Sequence, residues 1–404
     1  VGDTARAATG GAPRPPAVVL NTYATGLAIA RNLAPLGIDV YGLSVQTSAP
    51  GNFSRRCRPL QAPDSQDEPE RLVAFLCDLA QRLPGRPILF PTRDADIRFL
   101  DRNRRTLEPM YVIPQPAGDD LDRIMNKHRL AESAAAAGVP TPLTLRIRSR
   151  EELRAATSRF AFPVVAKAVY AQDWRREGIV EAVGRRKAVK MESTADLEQL
   201  FERVEPFGPD LLVQEWIDGP DDQCFIFGAY RGRSDRVLGW FTARKMLQFP
   251  PEFGLGCIVR LEPNAEIERL GRHLLEALSF RGTAEVEFKR HAPSGEYRLI
   301  EVNPRHWDQH ALGLSCGVNV ASIAYRDLCL GEALEPVGPS GARGAWISGS
   351  GLALSLADDL KHGRIRPWKC ADLLRPRTRY AIWDPMDPGP YFGRRIGSSA
   401  GEGR

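Results

Sequence analysis

The sequence predicts an α/β first part built on an open parallel sheet, followed by an α+β second part. The observations behind this are an opening strand–helix–strand alternation and a later run of strands joined by short turns. A chain of 404 residues also exceeds the roughly 100–200 residues that one core usually serves. Residues 17–44 read as the apolar strand Ala-Val-Val-Leu, a turn, an amphipathic helix from Gly26, and the strand Asp-Val-Tyr-Gly-Leu, the opening of a parallel sheet. A helix over 70–83, a strand over 87–91, a helix over 95–107 and a strand near 113 continue the pattern. These elements define a first domain over 16–121, preceded by a loose tail over 1–15.

A helical period over 122–138 ends at a glycine, and Val-Pro-Thr-Pro breaks the chain before the next strand. Residues 162–169 form a compact apolar strand, followed by a polar loop, the helix Thr-Ala-Asp-Leu-Glu-Gln-Leu-Phe-Glu-Arg-Val and the strand Asp-Leu-Leu-Val-Gln-Glu-Trp-Ile. This makes a small lid-like subdomain over about 160–218 within a second domain over 122–335. Three antiparallel strands, a helix from Glu266, a hairpin across Pro-Ser-Gly and a closing helix complete that domain. Residues 336–404, rich in Gly, Pro and Trp, are expected to pack back on the body.

Composition narrows the function. Hydrophobic residues make up 43% and charged residues 26%, with no run near the roughly 18 apolar residues of a membrane span, so a soluble, cytoplasmic protein is expected. The net charge of +5 is spread along the chain rather than gathered into a nucleic-acid-binding arm. Seven scattered cysteines without a C-x-x-C pair give no disulfide or zinc framework. Only 8 of the 55 basic residues are lysine, so each lysine is informative.

Strand alternation places Glu285, Glu287 and Lys289 on one face of the hairpin's first strand, and Tyr297, Leu299, Glu301 and Asn303 on one face of the second. If the faces coincide, Glu287, Glu301 and Asn303 form an oxygen-donor set suited to Mg²⁺; a solvated hairpin face is the competing reading. Arg305 follows, where it can stabilise a transferring phosphoryl group. Lys127 precedes a helix and Lys167 ends a buried strand, both suited to phosphate, with a solvated helix lysine and a snorkelling strand lysine as the competing readings. Glu215, Trp216 and Ile217 end another strand, where a carboxylate and exposed main chain can read a base edge; an ordinary edge strand is the equal alternative. His306 and Trp307 are candidates to line a substrate pocket; His306 and His310 are four residues apart but lack a third metal ligand nearby. The loop over 248–256 can gate the substrate or be an ordinary connection.

The order of these features resembles the ATP-grasp superfamily over residues 17–335, and more narrowly a bacterial carboxylate-amine ligase branch similar to D-aspartate ligase. The narrower likeness rests on Gly26-Leu27, Phe53-Ser54-Arg55, Phe90-Pro91-Thr92-Arg93-Asp94 and Gly138-Val139-Pro140-Thr141-Pro142. The resemblance implies an ATP-grasp fold behind a parallel-sheet domain, with ATP and Mg²⁺, or Mn²⁺ in its place. It implies that Lys127 and Lys167 contact phosphates, Glu215 and the Trp216 and Ile217 main chain the adenine, and Asp222 the ribose. Glu287, Glu301 and Asn303 would hold metal, Arg305 would stabilise the acyl-phosphate step, and Lys245 would approach the γ-phosphate. Arg244 and Arg260 are added as candidates for an anionic substrate such as an amino acid. The implied reaction joins a small-molecule carboxylate to an amine; no nucleic-acid or membrane partner is expected, and similar enzymes imply a homodimer. Missing glycines in Asn21-Thr22-Tyr23-Ala24-Thr25 argue against a dinucleotide cofactor. A small-molecule phosphotransferase and a non-catalytic nucleotide-binding module remain the alternatives.

Overall fold

In the computed structural model the described residues are 14–170, 173–208, 210–341, 343–363 and 377–393. Most of the 1–15 tail, two residues of the polar loop and Cys370 lie outside them.

Four short strands, β1 (Ala17–Leu20), β2 (Val40–Ser44), β3 (Arg58–Gln61) and β4 (Ile88–Phe90), pair in parallel in the order β3-β2-β1-β4. β1 and β4 are wholly buried because helices cover both faces, and this explains their uninterrupted apolar sequence. The sheet's edge strand β3, Arg-Pro-Leu-Gln, has no apolar alternation and is invisible to a pattern search. Near 113 no strand forms: Val112 makes a single bridge to Ile88. The helix expected over 95–107 breaks at Asn103 into Asp94–Arg102 and Arg104–Leu107. Gly26 is required by close approach, since a Cβ there would lie 2.2 Å from the Asn21 carbonyl oxygen.

The second sheet comprises β5 (Thr144–Ile147), β6 (Val164–Ala168), β7 (Ala188–Met191) and β8 (Leu211–Glu215), antiparallel in the order β5-β8-β6-β7. Val164, Ala166, Ala168, Leu211 and Val213 pack under the helices Arg150–Thr157 and Thr194–Val204. Alternation turns Lys167 and Gln214 to the opposite face, where Lys167 Nζ donates to Gln214 Oε1 at 2.8 Å.

A seven-stranded sheet forms the base: β9 (Cys224–Arg231), β10 (Val237–Phe249), β11 (Leu255–Leu261), β12 (Gly282–Arg290), β13 (Tyr297–Asn303), β14 (Ala345–Ile347) and β15 (Arg379–Tyr380), in the order β13-β12-β9-β10-β11-β14-β15. One face buries Phe225, Phe227, Val286 and Phe288 against the helices Ala265–Ala277 and Lys127–Ala136. The single helix expected over 122–138 is two, Gly118–Met125 and Lys127–Ala136. The Asn126 side chain accepts from the His128 and Arg129 amides and caps the second. Because β10 and β11 continue to Phe249 and Leu255, the expected 248–256 loop shrinks to its tip.

The last described segment is fastened by Asp387, 1% exposed, which accepts from Arg31 Nε at 2.9 Å, Ser54 Oγ at 2.7 Å and the Arg55 amide at 3.0 Å. Removing the carboxylate leaves Arg31 buried without a counter-ion. Asp387→Ala is expected to destabilise by about 3–5 kcal/mol, checked by a lower thermal-unfolding midpoint.

Candidate active site

The hairpin β12–β13 brings its acids together by a device that simple alternation does not contain. Glu285 lies opposite Asn303 and Glu287 opposite Glu301, but Phe288 then pairs with Leu299, leaving Ile300 as a bulge. The extra residue reverses the facing of everything before it on β13. Leu299 and Tyr297 therefore turn to the apolar core with Phe288, correcting the expectation that they share a face with Glu301 and Asn303. The four polar side chains Glu285, Glu287, Glu301 and Asn303 share the cleft face, with Asn303 Nδ2 donating to Glu285 Oε2 at 3.0 Å.

Lys245 reaches the same face from β10, its Nζ 2.5 Å from Glu287 Oε2, with both groups buried. Burial disfavours its charge, but Glu287 and Glu285 outweigh burial and raise the lysine above its ordinary range. Burial and the neighbouring Glu287 push the Glu285 carboxyl well up, against the pull of Lys245. Glu301 behaves oppositely: burial opposes its charge, yet Lys187, Lys127, Lys245 and Lys167 hold it down at about 2. Lys167 is pushed down to about 7 by burial and by Lys127, with Glu301 opposing.

Six of the eight lysines gather here. Besides those four, Lys190 and Lys289 each lie 4.8 Å from the Trp216 ring centroid. Lys187, Lys190 and Lys289 were missed as candidates, although the scarcity of lysine in an arginine-rich chain was a usable signal. Lys127 is the first helical residue after the Asn126 cap.

At the end of β8, Glu215 Oε1 accepts from Arg298 at 2.9 Å and Oε2 from the Leu143 amide at 3.3 Å. Its carboxylate is therefore already held, leaving main chain at Glu215–Ile217 as the edge for a base. Asp222 is engaged by Arg244, which contacts its carbonyl oxygen and lies 3.5 Å from its carboxylate.

Arg244 and Arg260 pair across β10 and β11, one residue out of phase with Lys245. They thus occupy the sheet face opposite the acids, where Arg260 bonds Glu262 at 2.9 Å and Arg244 lies over Phe225. This corrects their assignment to the substrate pocket, and the cause is the two-residue period of the strand.

Arg305 follows β13 and is anchored by Asp94, whose Oδ1 accepts from Nε at 2.8 Å, and by the His306 carbonyl at 3.1 Å. Asp94 begins the helix after β4, so the parallel-sheet part positions this arginine; the quoted Phe-Pro-Thr-Arg-Asp run contained the residue but no hint of the role. Thr25 Oγ1 donates to Asp308 at 2.5 Å beside it. Trp307 is 2% exposed, stacks on Phe241 and covers Gly228, where a Cβ would lie 2.3 Å from its ring, so it belongs to the core rather than to a pocket wall. His306 is also buried, against Phe90 and His310, and burial lowers both imidazoles, His310 to about 4. Neither lines an open pocket.

Among the described residues no group of three or more His, Cys, Asp or Glu is arranged as a metal cage. Glu287, Glu301 and Asn303 instead offer two carboxylates and an amide oxygen, a set that suits Mg²⁺, which completes its shell with water and phosphate oxygens. In the structure the Lys245 ammonium is the partner that neutralises the Glu287 carboxylate.

No protein-family profile matches the sequence. It is 23% identical over 247 residues to D-aspartate ligase of Enterococcus faecium (strain Aus0004), covering 59% of this chain and 58% of the relative. It is 26% identical over 186 residues to D-alanine–D-alanine ligase of Ectopseudomonas mendocina (strain ymp), covering 44% of this chain and 55% of the relative. The chain thus spans a little over half the length of these curated relatives. In fold it is similar to N5-carboxyaminoimidazole synthetase from Staphylococcus aureus complexed with ADP, with a TM-score of 0.64 at 14% identity over 87% of this chain and 88% of that one. It is also similar to L-amino acid ligase from Bacillus licheniformis, with a TM-score of 0.58 at 17% identity over 80% and 75% of the two chains. Among the described residues no helix is long and apolar enough to cross a membrane. With a lysine-bearing antiparallel sheet, an acid-bearing seven-stranded base and a parallel sheet supplying the anchor for Arg305, this chain has the ATP-grasp fold behind an N-terminal parallel-sheet part.

Proposed function

We propose that the chain is an ATP- and Mg²⁺-dependent carboxylate-amine ligase that works through an acyl phosphate and releases ADP and phosphate. The observation that carries this reading is the directly opposed pair Glu287 and Glu301, sharing one cleft face with Asn303 and Lys245 and ringed by lysines. The curated relatives named above are by name ligases of D-aspartate and of D-alanine, which supports small-molecule carboxylate and amine substrates for this chain.

Each residue has a part set by its charge and position. Lys127 and Lys167 hold the triphosphate, and Lys187 and Lys245 add positive charge near Glu301. Main chain at Trp216 and Ile217 holds the base, and Asp222 the ribose once it exchanges Arg244 for a hydroxyl. Glu287, Glu301 and Asn303 hold Mg²⁺, which when bound neutralises phosphate charge. A substrate carboxylate oxygen attacks the γ-phosphorus, and the β,γ-bridging oxygen leaves with ADP. The amine nitrogen then attacks the acyl carbon, the carbon–oxygen bond to phosphate breaks, and a proton leaves the nitrogen. Arg305, fixed by Asp94, faces the negative charge that builds in both steps.

The test supplies Mg²⁺-ATP with amino acids singly and in pairs and measures ADP, phosphate and amide. Amide formation that requires a pair is the expected result. ADP release with one partner and a phosphorylated product would replace this reading with a phosphotransferase, and ATP binding without turnover across the panel would favour a binding module.

A further inference from the structure

Beside the ATP-grasp cleft, two adjoining cavities of about 360 and 210 Å³ open between the helix Asp94–Arg102 and the segment that follows β6. Both are lined by Arg98, Arg102 and Arg176; the larger adds Tyr170, Asp173 and Trp174, and the smaller adds Arg175. Arg98 is the deepest of the arginines. Its guanidinium lies 4.1 Å from the Tyr170 ring centroid, and its Nε is shielded from solvent without a hydrogen-bond partner among the described residues. Burial makes its charge costly, with Tyr170 and Asp173 offsetting part of that cost.

The charges around the cavities do not balance. Asp210 also lines the larger one, but both its oxygens are bonded to Arg146, at 2.5 and 2.7 Å. Among the described residues, Asp173 is then the one carboxylate of that lining left to face the arginines. Arginine forks match phosphate and carboxylate oxygens in pairs, and the larger volume suits a small molecule with one anionic end. The location connects this pocket to the chemistry: Arg98 is four residues, one helical turn, after Asp94, which holds Arg305.

We propose that these cavities bind the anionic end, phosphate or carboxylate, of one of the two substrates, gripped by Arg98, Arg102 and Arg176, with the reacting end directed to Arg305. This rests on the ligase reading for the word substrate, but not for the anion site.

Trp174, buried in the cavity wall, supplies a reporter. Inorganic phosphate and, separately, succinate are titrated into the nucleotide-free protein while tryptophan emission is followed. The expected result is a saturable change that is lost in Trp174→Phe. Affinity should fall tenfold or more in Arg98→Met, and likewise in an Arg102→Ala/Arg176→Ala double variant made as a second probe because Arg98 also packs on Tyr170. ATP affinity should stay the same in both. In turnover, the KM of one substrate should rise tenfold or more in the double variant while the KM for ATP holds.

Absence of a saturable change, or a change of equal affinity in both variants, overturns the site. Arginine-dependent phosphate binding with unchanged substrate KM values overturns the assignment to a substrate and identifies a free-anion site. Arginine-dependent binding with no amide from any pair removes the ligase reading while the anion site stands.

Discussion

Glu301→Gln is expected to lower ATP-dependent turnover by about 10³-fold and to destabilise the nucleotide-free protein. Both effects come from one carboxylate. It stands opposite Glu287 at the bulge of the hairpin and is the acid on which four lysines act. Glutamine keeps an oxygen and the shape but removes the charge that balances those lysines and would hold the cation. Folding lowers this carboxyl from 4.5 to about 2, so its contribution is present in full above pH 4.5 and is lost as pH falls through about 2. The shift amounts to ~3 kcal/mol as an upper figure. Assays should therefore run well below the variant's melting transition, with folding checked by circular dichroism. Wild-type turnover under those conditions would remove Glu301 from the catalytic set.

The elements that set out this cleft were readable because they follow strong rules. An apolar strand ending in lysine, a second ending in Gln-Glu-Trp-Ile, and a hairpin of alternating acids keep their two-residue period, and β6, β8, β12 and β13 form where the pattern places them. What escaped has physical causes that one strand or helix does not carry. The bulge at Ile300 is a property of two paired strands, so it reverses Leu299 without a mark in β13 alone. Arg244 and Arg260 read in the sequence as candidates for an anionic substrate, but each is one residue out of phase with Lys245 across β10 and β11, and adjacent strand residues point to opposite faces. Asp94 bonds Arg305 across 211 residues, a pairing that no local pattern encodes. Trp307 followed a functional arginine and invited a functional reading; the small Gly228 beneath it shows that packing dictates its place.

Lys167→Met is expected to raise the melting temperature of the nucleotide-free protein and to weaken ATP binding by about 100-fold, an effect of the size seen when a charged partner is lost. The lysine sits in the dry interior with Gln214 as its hydrogen-bond partner and Lys127 and Lys187 repelling it. Burial and these neighbours take it from 10.5 down to about 7. The sign follows directly. Between those two values the unfolded chain holds a proton that the folded chain does not, so stability rises with pH through the window and the penalty is complete below pH 7. It corresponds to ~4–5 kcal/mol as an upper figure, part of which methionine removes by filling the same space without charge. A bound triphosphate would reverse the balance, making the charged form the favoured one. ATP binding at pH 8 should then draw a proton from solvent, detected as a binding enthalpy that varies with the ionisation enthalpy of the buffer. In Lys167→Met that proton uptake should disappear along with the stability gradient. A variant that melts lower than wild type and binds ATP equally well would show that this lysine supports the fold rather than the nucleotide.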